Sequence, residues 1–231
     1  MKKIIYALII FMIVLINSEH VISKNSLTFV NSAKHISYID FNMDRITGEP
    51  ELVSAKSSLT LQDFNDVSIT PEHYIDVKSQ RSSNGVYLLR IPISPFLLRS
   101  GFLRVSIEFK VVKQSASSFA SSISIGIGNT TGIYRVDSGW GVKVPNYYGI
   151  FYYSFDTRYP KLVINGITVS TSILSTGSVY SYSKDQVIKV NPIRVDSLLF
   201  IIGGGGITTS PYCEIEIRKL RIVSYVMSEV I

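Results

Sequence analysis

The chain has 231 residues, 46% of them hydrophobic and 17% charged. It can bury a substantial core without staples, and its single cysteine, Cys213, excludes an intrachain disulfide framework. The formal charge of +6 comes from scattered basic residues, with only Arg218, Lys219 and Arg221 close together. Nucleic-acid binders concentrate such charge on one face or arm. Nucleic acid is therefore not an expected partner, and the charge reads as solubility and loose attraction to acidic surfaces.

Lys2 and Lys3 open the chain, an unbroken apolar run follows from Ile4 to Ile16, and polar Asn17, Ser18, Glu19 and His20 end it. This is the layout of a secretory signal. The run is shorter than the about 20 apolar residues a spanning helix needs. Residues 1–18 are therefore expected to be a signal peptide or, if uncleaved, a signal-anchor, the only route by which this chain would meet a membrane. Residues 25–231 are expected to form one secreted or surface-exposed domain.

Between residues 25 and 85 the pattern is sparse. Leu27 to Val30 and Ile36 to Phe41 could be strands, and Asp44 to Pro50 has the composition of a loop. From there alternation takes over. In Leu103 to Val111 every odd residue is apolar and every even one polar, which predicts a strand with one buried and one wet face. The same holds for Ile123 to Ile127, Trp140 to Val144 and Cys213 to Ile217, the last predicting a buried Cys213 thiol. Leu162 to Ile164 and Leu198 to Ile202 are continuous apolar runs, expected of strands covered on both sides.

Turns fall at Ser83-Asn84-Gly85, Gly128 to Gly132 and Gly203 to Gly206. Asn165-Gly166, between Leu162-Val163-Ile164 and Ile167-Thr168-Val169, is the strongest hairpin signal, because both residues accept the positive φ of a tight primed turn. Ile215 and Ile217 set an odd register, whereas Leu220 and Ile222 are even. Burying both pairs requires an extra residue near Arg218-Lys219, a β-bulge or a break. Many short strands with regular turns predict an all-β fold, an antiparallel β-sandwich or jelly roll. Its core is expected to include Val105, Ile107, Phe109, Ile123, Ile125, Leu162, Ile164, Phe200, Ile215 and Ile217.

Three pieces occur in order: the strand Phe102 to Val111, the hairpin Lys161 to Val169, and Leu198 to Gly206 followed by a closing segment from Cys213 to Ile231. This order resembles the concanavalin A-like lectin/glucanase superfamily, particularly laminin-G-like jelly-roll domains, over about residues 90–231. The Trp-His-His-like strand that usually precedes the Asn-Gly hairpin in those domains is missing here. The resemblance implies a lectin-like fold, with ligands on the concave sheet or at the loops of one rim, and calcium as an accessory.

Glu214 and Glu216 point to one face of a strand, about 7 Å apart by strand rise, a separation within the glycosidase range. The glucanases of this superfamily carry an E-x-D-x-(x)-E run that this chain lacks, so alternating charges on a solvated face are the simpler reading and no catalytic residue is expected. His20, His35 and His73 have no Cys or His at metal spacing, so no metal site is expected. Asp137, Asp156, Asp185 and Asp196 are scattered acids, read as loop residues, without the spacing of a self-contained calcium site. A calcium site assembled in space is left open, and otherwise no cofactor is expected.

Trp140, Tyr147, Tyr148, Tyr152, Tyr153 and Tyr159 fall within twenty residues. Ring faces that bury C–H surfaces beside polar tips suit amphipathic ligands such as sugars. Trp140, Asn146, Tyr147 and Tyr148 are the ligand-binding candidates, with the tyrosine pair placed at a loop tip after Pro145-Asn146. Asn129-Thr130-Thr131 is an N-glycosylation sequon in a Gly-flanked turn. The expectation is an exported lectin-like module that binds a glycan or a cell-surface protein without chemistry, with oligomerisation left open. The alternatives are a structural jelly roll of a viral or surface assembly and a diverged polysaccharide hydrolase or lyase.

Overall fold

The computed structural model describes residues 36–55, 67–79, 85–115, 121–135, 142–156, 158–204 and 212–227. The chain divides into a compact unit of residues 38–225, which carries the sheets, and a second unit of residues 1–37 with 226–231. The expected segment Leu27 to Val30 and the candidate Trp140 lie outside the described residues.

Fifteen strands are described: β1 (Ile36–Phe41), β2 (Glu51–Ala55), β3 (Val67–Ile69), β4 (Ile75–Ser79), β5 (Gly85–Leu98), β6 (Gly101–Ser115), β7 (Ser121–Gly128), β8 (Tyr134–Arg135), β9 (Val142–Lys143), β10 (Tyr147–Phe155), β11 (Lys161–Ile164), β12 (Ile167–Ser170), β13 (Val179–Ile188), β14 (Ile193–Gly204) and β15 (Tyr212–Met227). One short 3₁₀ turn, Met43–Arg45, follows β1. A six-stranded sheet runs β13-β6-β15-β4-β3, with β1 also paired to β15, and a seven-stranded sheet runs β12-β11-β10-β7-β14-β5-β2. The strands along both sheets pair antiparallel throughout. This is the antiparallel sandwich that the alternation predicts.

The core lies between the sheets. Rows of cross-strand partners in the seven-stranded sheet, such as Phe200-Ile125-Phe151-Ile164, present only buried apolar side chains inward. Phe109, from the six-stranded sheet, meets Phe151 edge-on at 5.2 Å and stacks on Tyr180 at 5.7 Å. All ten core residues expected from alternation are buried. Each such side chain contributes roughly 1.5–3 kcal/mol by leaving water.

The register change in β15 is a bulge. Against β6, the pairing jumps from Ile217↔Phe109 to Lys219↔Glu108, so Arg218 is the extra residue. Ile215, Ile217, Leu220 and Ile222 are consequently all buried. Cys213 is fully buried, and burial pushes its thiol up to about 12. Of the two runs expected to be covered on both sides, Leu198, Leu199 and Phe200 are buried, whereas Val163 stays half-exposed.

Polar clips join the sheets at both ends. Asn165 and Gly166 form the two-residue turn between β11 and β12, with φ of 48° and 73°. The buried Asn165 amide donates to the carbonyls of Leu103 (2.8 Å) and Lys184 (3.0 Å) on the other sheet and accepts from the Tyr148 hydroxyl (3.1 Å). At the far end, Ser121 of β7 donates to Ser79 Oγ of β4 (2.7 Å), and Ser79 Oγ donates to the Gly203 carbonyl (3.1 Å).

Candidate functional site

Because alternate residues of a strand face opposite ways, the residues between the buried rows form the outer face of the seven-stranded sheet. One cross-strand row there is Gly203-Ser122-Ser154-Lys161, running across β14, β7, β10 and β11. The next is Ile201-Ser124-Tyr152-Val163. Small residues at Gly203, Ser122 and Ser154 leave the first row a low strip beside the larger Ile201, Tyr152 and Val163 of the next. Ser122 and Tyr152 are half-exposed, Lys161 is exposed and Ser154 is nearly covered. A Cβ added at Gly203 would lie 3.2 Å from Ser122 Oγ, so glycine keeps this end of the strip low.

Tyr147 borders the second row. Its ring lies across Gly126, where an added Cβ would meet ring carbon Cε2 at 2.2 Å, and its hydroxyl shares a 2.7 Å hydrogen bond with Ser124 Oγ. Burial pushes this hydroxyl up to about 12, against the opposing effect of the Ser124 bond. Further along the same face, Leu88 and Leu199 point outward by register yet are fully buried. The outer face is thus divided into a covered apolar part and a polar strip.

The expected loop-tip placement of the tyrosine pair is corrected by this geometry. Tyr147 and Tyr148 begin β10 rather than standing at a loop tip, so they point to opposite faces. Tyr147 lies on the outer face, while Tyr148 packs against the core and bonds to Asn165, with Gln186 Oε1 at 3.3 Å. One ligand cannot stack on both. Asn146 holds the preceding turn, its amide donating to Asn129 Oδ1 (3.1 Å) and to the Thr131 carbonyl (3.2 Å).

The sequon asparagine, Asn129, is 9% exposed. Its amide nitrogen, the atom a glycan would be joined to, donates to the Arg194 carbonyl at 2.6 Å. A glycan there would displace that contact.

Glu214 and Glu216 lie on the outer face of the six-stranded sheet, half-buried and paired with Lys78 (3.8 Å) and Arg218 (2.9 Å) respectively. Asp185 and Asp196 are strand residues rather than loop residues, engaged with Arg104 and Ser197. Asp156 closes an Asx turn by accepting from the Arg158 amide (2.8 Å), and Asp137 lies outside the described residues. Among the described residues no group of three or more His, Cys, Asp or Glu side chains is arranged to hold a metal ion.

A second concavity is not legible in the sequence. A cleft of about 730 Å³ is lined by Met43, Ile46, Glu49, Ile69, Thr70 and His73, among others. Thr70 ties its far wall, accepting from the His73 amide and donating to the Tyr74 carbonyl through its backbone, while its Oγ1 accepts from the Tyr74 amide. His73 takes a positive φ of 61° at this turn. The lining comes from two irregular segments without periodicity, which is why alternation gave no hint of it.

No family model matches the chain, and no curated protein does. Solved structures do. The winged bean acidic lectin, complexed with methyl-α-D-galactose, is 11% identical, with 82% of this chain and 100% of that one covered at a TM-score of 0.43. A xylan-binding module is 9% identical, covering 81% of this chain and 97% of its own, at 0.39. A family 16 glycosyl hydrolase from Mycobacterium smegmatis is 9% identical, covering 80% and 100%, at 0.41. All three have the concanavalin A-like jelly-roll architecture.

Proposed function

We propose that the chain is an exported carbohydrate-binding jelly roll that holds a glycan along the Gly203-Ser122-Ser154-Lys161 strip and performs no chemistry on it. The observation that carries this reading is the strip itself: a glycine, two serines and a lysine contributed by four neighbouring strands, bordered by the half-exposed Tyr152. Sugars offer C–H patches, which an aromatic face covers, and hydroxyls, which serine hydroxyls and a lysine ammonium can bond. Strand residues are held rigidly, so little ordering entropy is lost on binding. Tyr147 holds Ser124 in the row beside the strip, and Tyr148 serves the fold. The carboxylates Glu214 and Glu216 stand on the other sheet and are ion-paired, which supports binding without hydrolysis. Export rests on the Lys2-Lys3 start and the apolar run Ile4 to Ile16.

A glycan array followed by titration of the strongest ligand tests this. Tyr152→Ala should weaken binding at least about tenfold, a loss of about 1.4 kcal/mol, with the melting temperature nearly unchanged. Undiminished binding by Tyr152→Ala together with loss in Thr70→Trp would move the site to the cleft beside His73. A chain that binds no glycan and elutes as large particles would favour the structural-assembly alternative.

A further inference from the structure

The cleft of about 730 Å³ lies where the β1–β2 connection, residues 42–50, passes the β3–β4 turn, residues 70–74. Both walls are tied to the fold. On one, Ile46 bridges antiparallel to Ile93, and the Thr47 amide donates to the Pro92 carbonyl at 2.9 Å. On the other, the Thr70 amide donates to the Tyr74 carbonyl and the His73 amide to the Thr70 carbonyl, both at 2.9 Å. Met43, Ile46 and Ile69 line the cleft and pack against the core, so they are its apolar floor. Its volume falls within the roughly 300–1,000 Å³ of sites that take small organic molecules.

The polar side chains of the lining share one property. Asp44 and Glu49 bring carboxylates, Thr47 and Thr70 hydroxyls and His73 an imidazole, and no lysine or arginine is among the described lining residues. In a chain with a formal charge of +6, this is a local reversal of sign. Arg45, on the same connection, turns its guanidinium to the Asp40 carbonyl at 3.2 Å. Asp44 accepts from the Asn42 side chain at 3.1 Å, and Glu49 has no ion-pair partner among the described residues. Glu72 adds a third anion beside His73. Hydrogen bonds to its own backbone and to Thr70 hold its carboxyl below the usual range.

We propose that this cleft binds a primary amine with an aliphatic body, its ammonium held by Asp44 and Glu49 and its carbon chain laid on the Met43, Ile46 and Ile69 floor. A primary ammonium carries three N–H donors and no acceptor. The lining answers with two carboxylates, which only accept, and with hydroxyls and an imidazole that can accept as well. A phosphate or carboxylate ligand would meet like charge instead. A quaternary ammonium is held by aromatic faces, and the described lining has no aromatic ring but the His73 imidazole. A sugar lacks a stacking partner there for the same reason. The strip and the cleft share no residue, so the two sites take different chemistry at separate places.

Amide NMR of the isotope-labelled full chain, titrated at neutral pH with n-hexylamine, 1-hexanol or hexanoate, tests this at Thr47, Gly48, Thr70 and His73. The amine should shift these amides saturably and bind at least about fivefold more tightly than the alcohol of equal length, and hexanoate should leave them unmoved. Added salt should weaken the amine and spare the alcohol. Glu49→Gln combined with Asp44→Asn should bring the amine down to the affinity of the alcohol. Thr47→Lys, at an exposed position, should set its own ammonium among the carboxylates and abolish amine binding. Its melting temperature should stay within a few degrees of wild type, since exposed substitutions cost little. Equal affinity for amine and alcohol overturns the proposal, as does amine binding that survives the double substitution. Amides in the cleft that show no saturable shift with n-hexylamine overturn it too.

Discussion

The outer faces of the two sheets are built from the same alternation but are occupied differently. On the six-stranded sheet many of the charges pair with each other across neighbouring strands. Arg104 grips Asp185 with two hydrogen bonds (2.6 and 2.7 Å), Lys219 meets Glu108 (2.9 Å), and Arg221 grips Asp40 (2.9 and 2.7 Å). On the seven-stranded sheet the middle of the outer face carries serines, glycines and tyrosines, and the ion pair Arg90–Glu51 stands at the β2–β5 rim. Exposed ion pairs contribute only about 0–1 kcal/mol each, so the first face is a charged, solvated surface. The second holds hydroxyls and ring faces on a rigid frame, groups that a polar ligand can use.

The difference between faces depends on facing, and deletion of Arg218 should erase it for half of β15. Without the bulge residue, Leu220 and Ile222 would turn to solvent and Lys219 and Arg221 to the core. No folded protein is expected by circular dichroism, whereas Arg218→Ala should cost less than about 1 kcal/mol.

Next in size is Asn165→Ala. It leaves the Leu103 and Lys184 carbonyls without their donor and places alanine at a φ of 48°. A loss of about 3 kcal/mol is expected in denaturant titration.

Asp76→Asn probes the six-stranded face more gently. Burial raises the Asp76 carboxyl, against the opposing Lys78 contact, and its Oδ1 has no hydrogen-bond partner among the described residues. Between the usual carboxylate value and the raised one, the folded state holds a proton that the unfolded chain has lost. Stability from this group therefore falls as pH rises through that window. The amide should flatten that slope and change stability at neutral pH by less than about 1 kcal/mol, in the stabilising direction, as pH-dependent melting would show. The smallest effect concerns Cys213, whose buried thiol stays protonated up to about 12. A thiol reagent should not label it at neutral pH until the chain is unfolded.

Much of this is legible in the sequence because alternation encodes facing. It yields the core from Val105 to Ile217, the bulge from the phase slip before Leu220, and the Asn165-Gly166 turn. Alternation does not say which strands become neighbours. The Gly203-Ser122-Ser154-Lys161 row gathers four residues spread over about eighty positions, and only the pairing of β14, β7, β10 and β11 reveals it. Pro145-Asn146 is a true turn signal, but the turn ends there and β10 starts at once with Tyr147, which splits the tyrosine pair. At Asn129 the motif is visible and its hydrogen bond to the Arg194 carbonyl is not, since that partner comes from 65 residues away.

Calorimetric titration of the best array glycan against the wild type and Ser122→Trp tests the strip most directly. The indole would fill the space between Gly203 and Ser154 from a half-exposed position, where substitution costs little stability, about 0.5 kcal/mol. Binding through the strip predicts affinity lost by at least about tenfold, with the melting temperature within a few degrees of wild type. Wild-type affinity in a stable Ser122→Trp variant would contradict it.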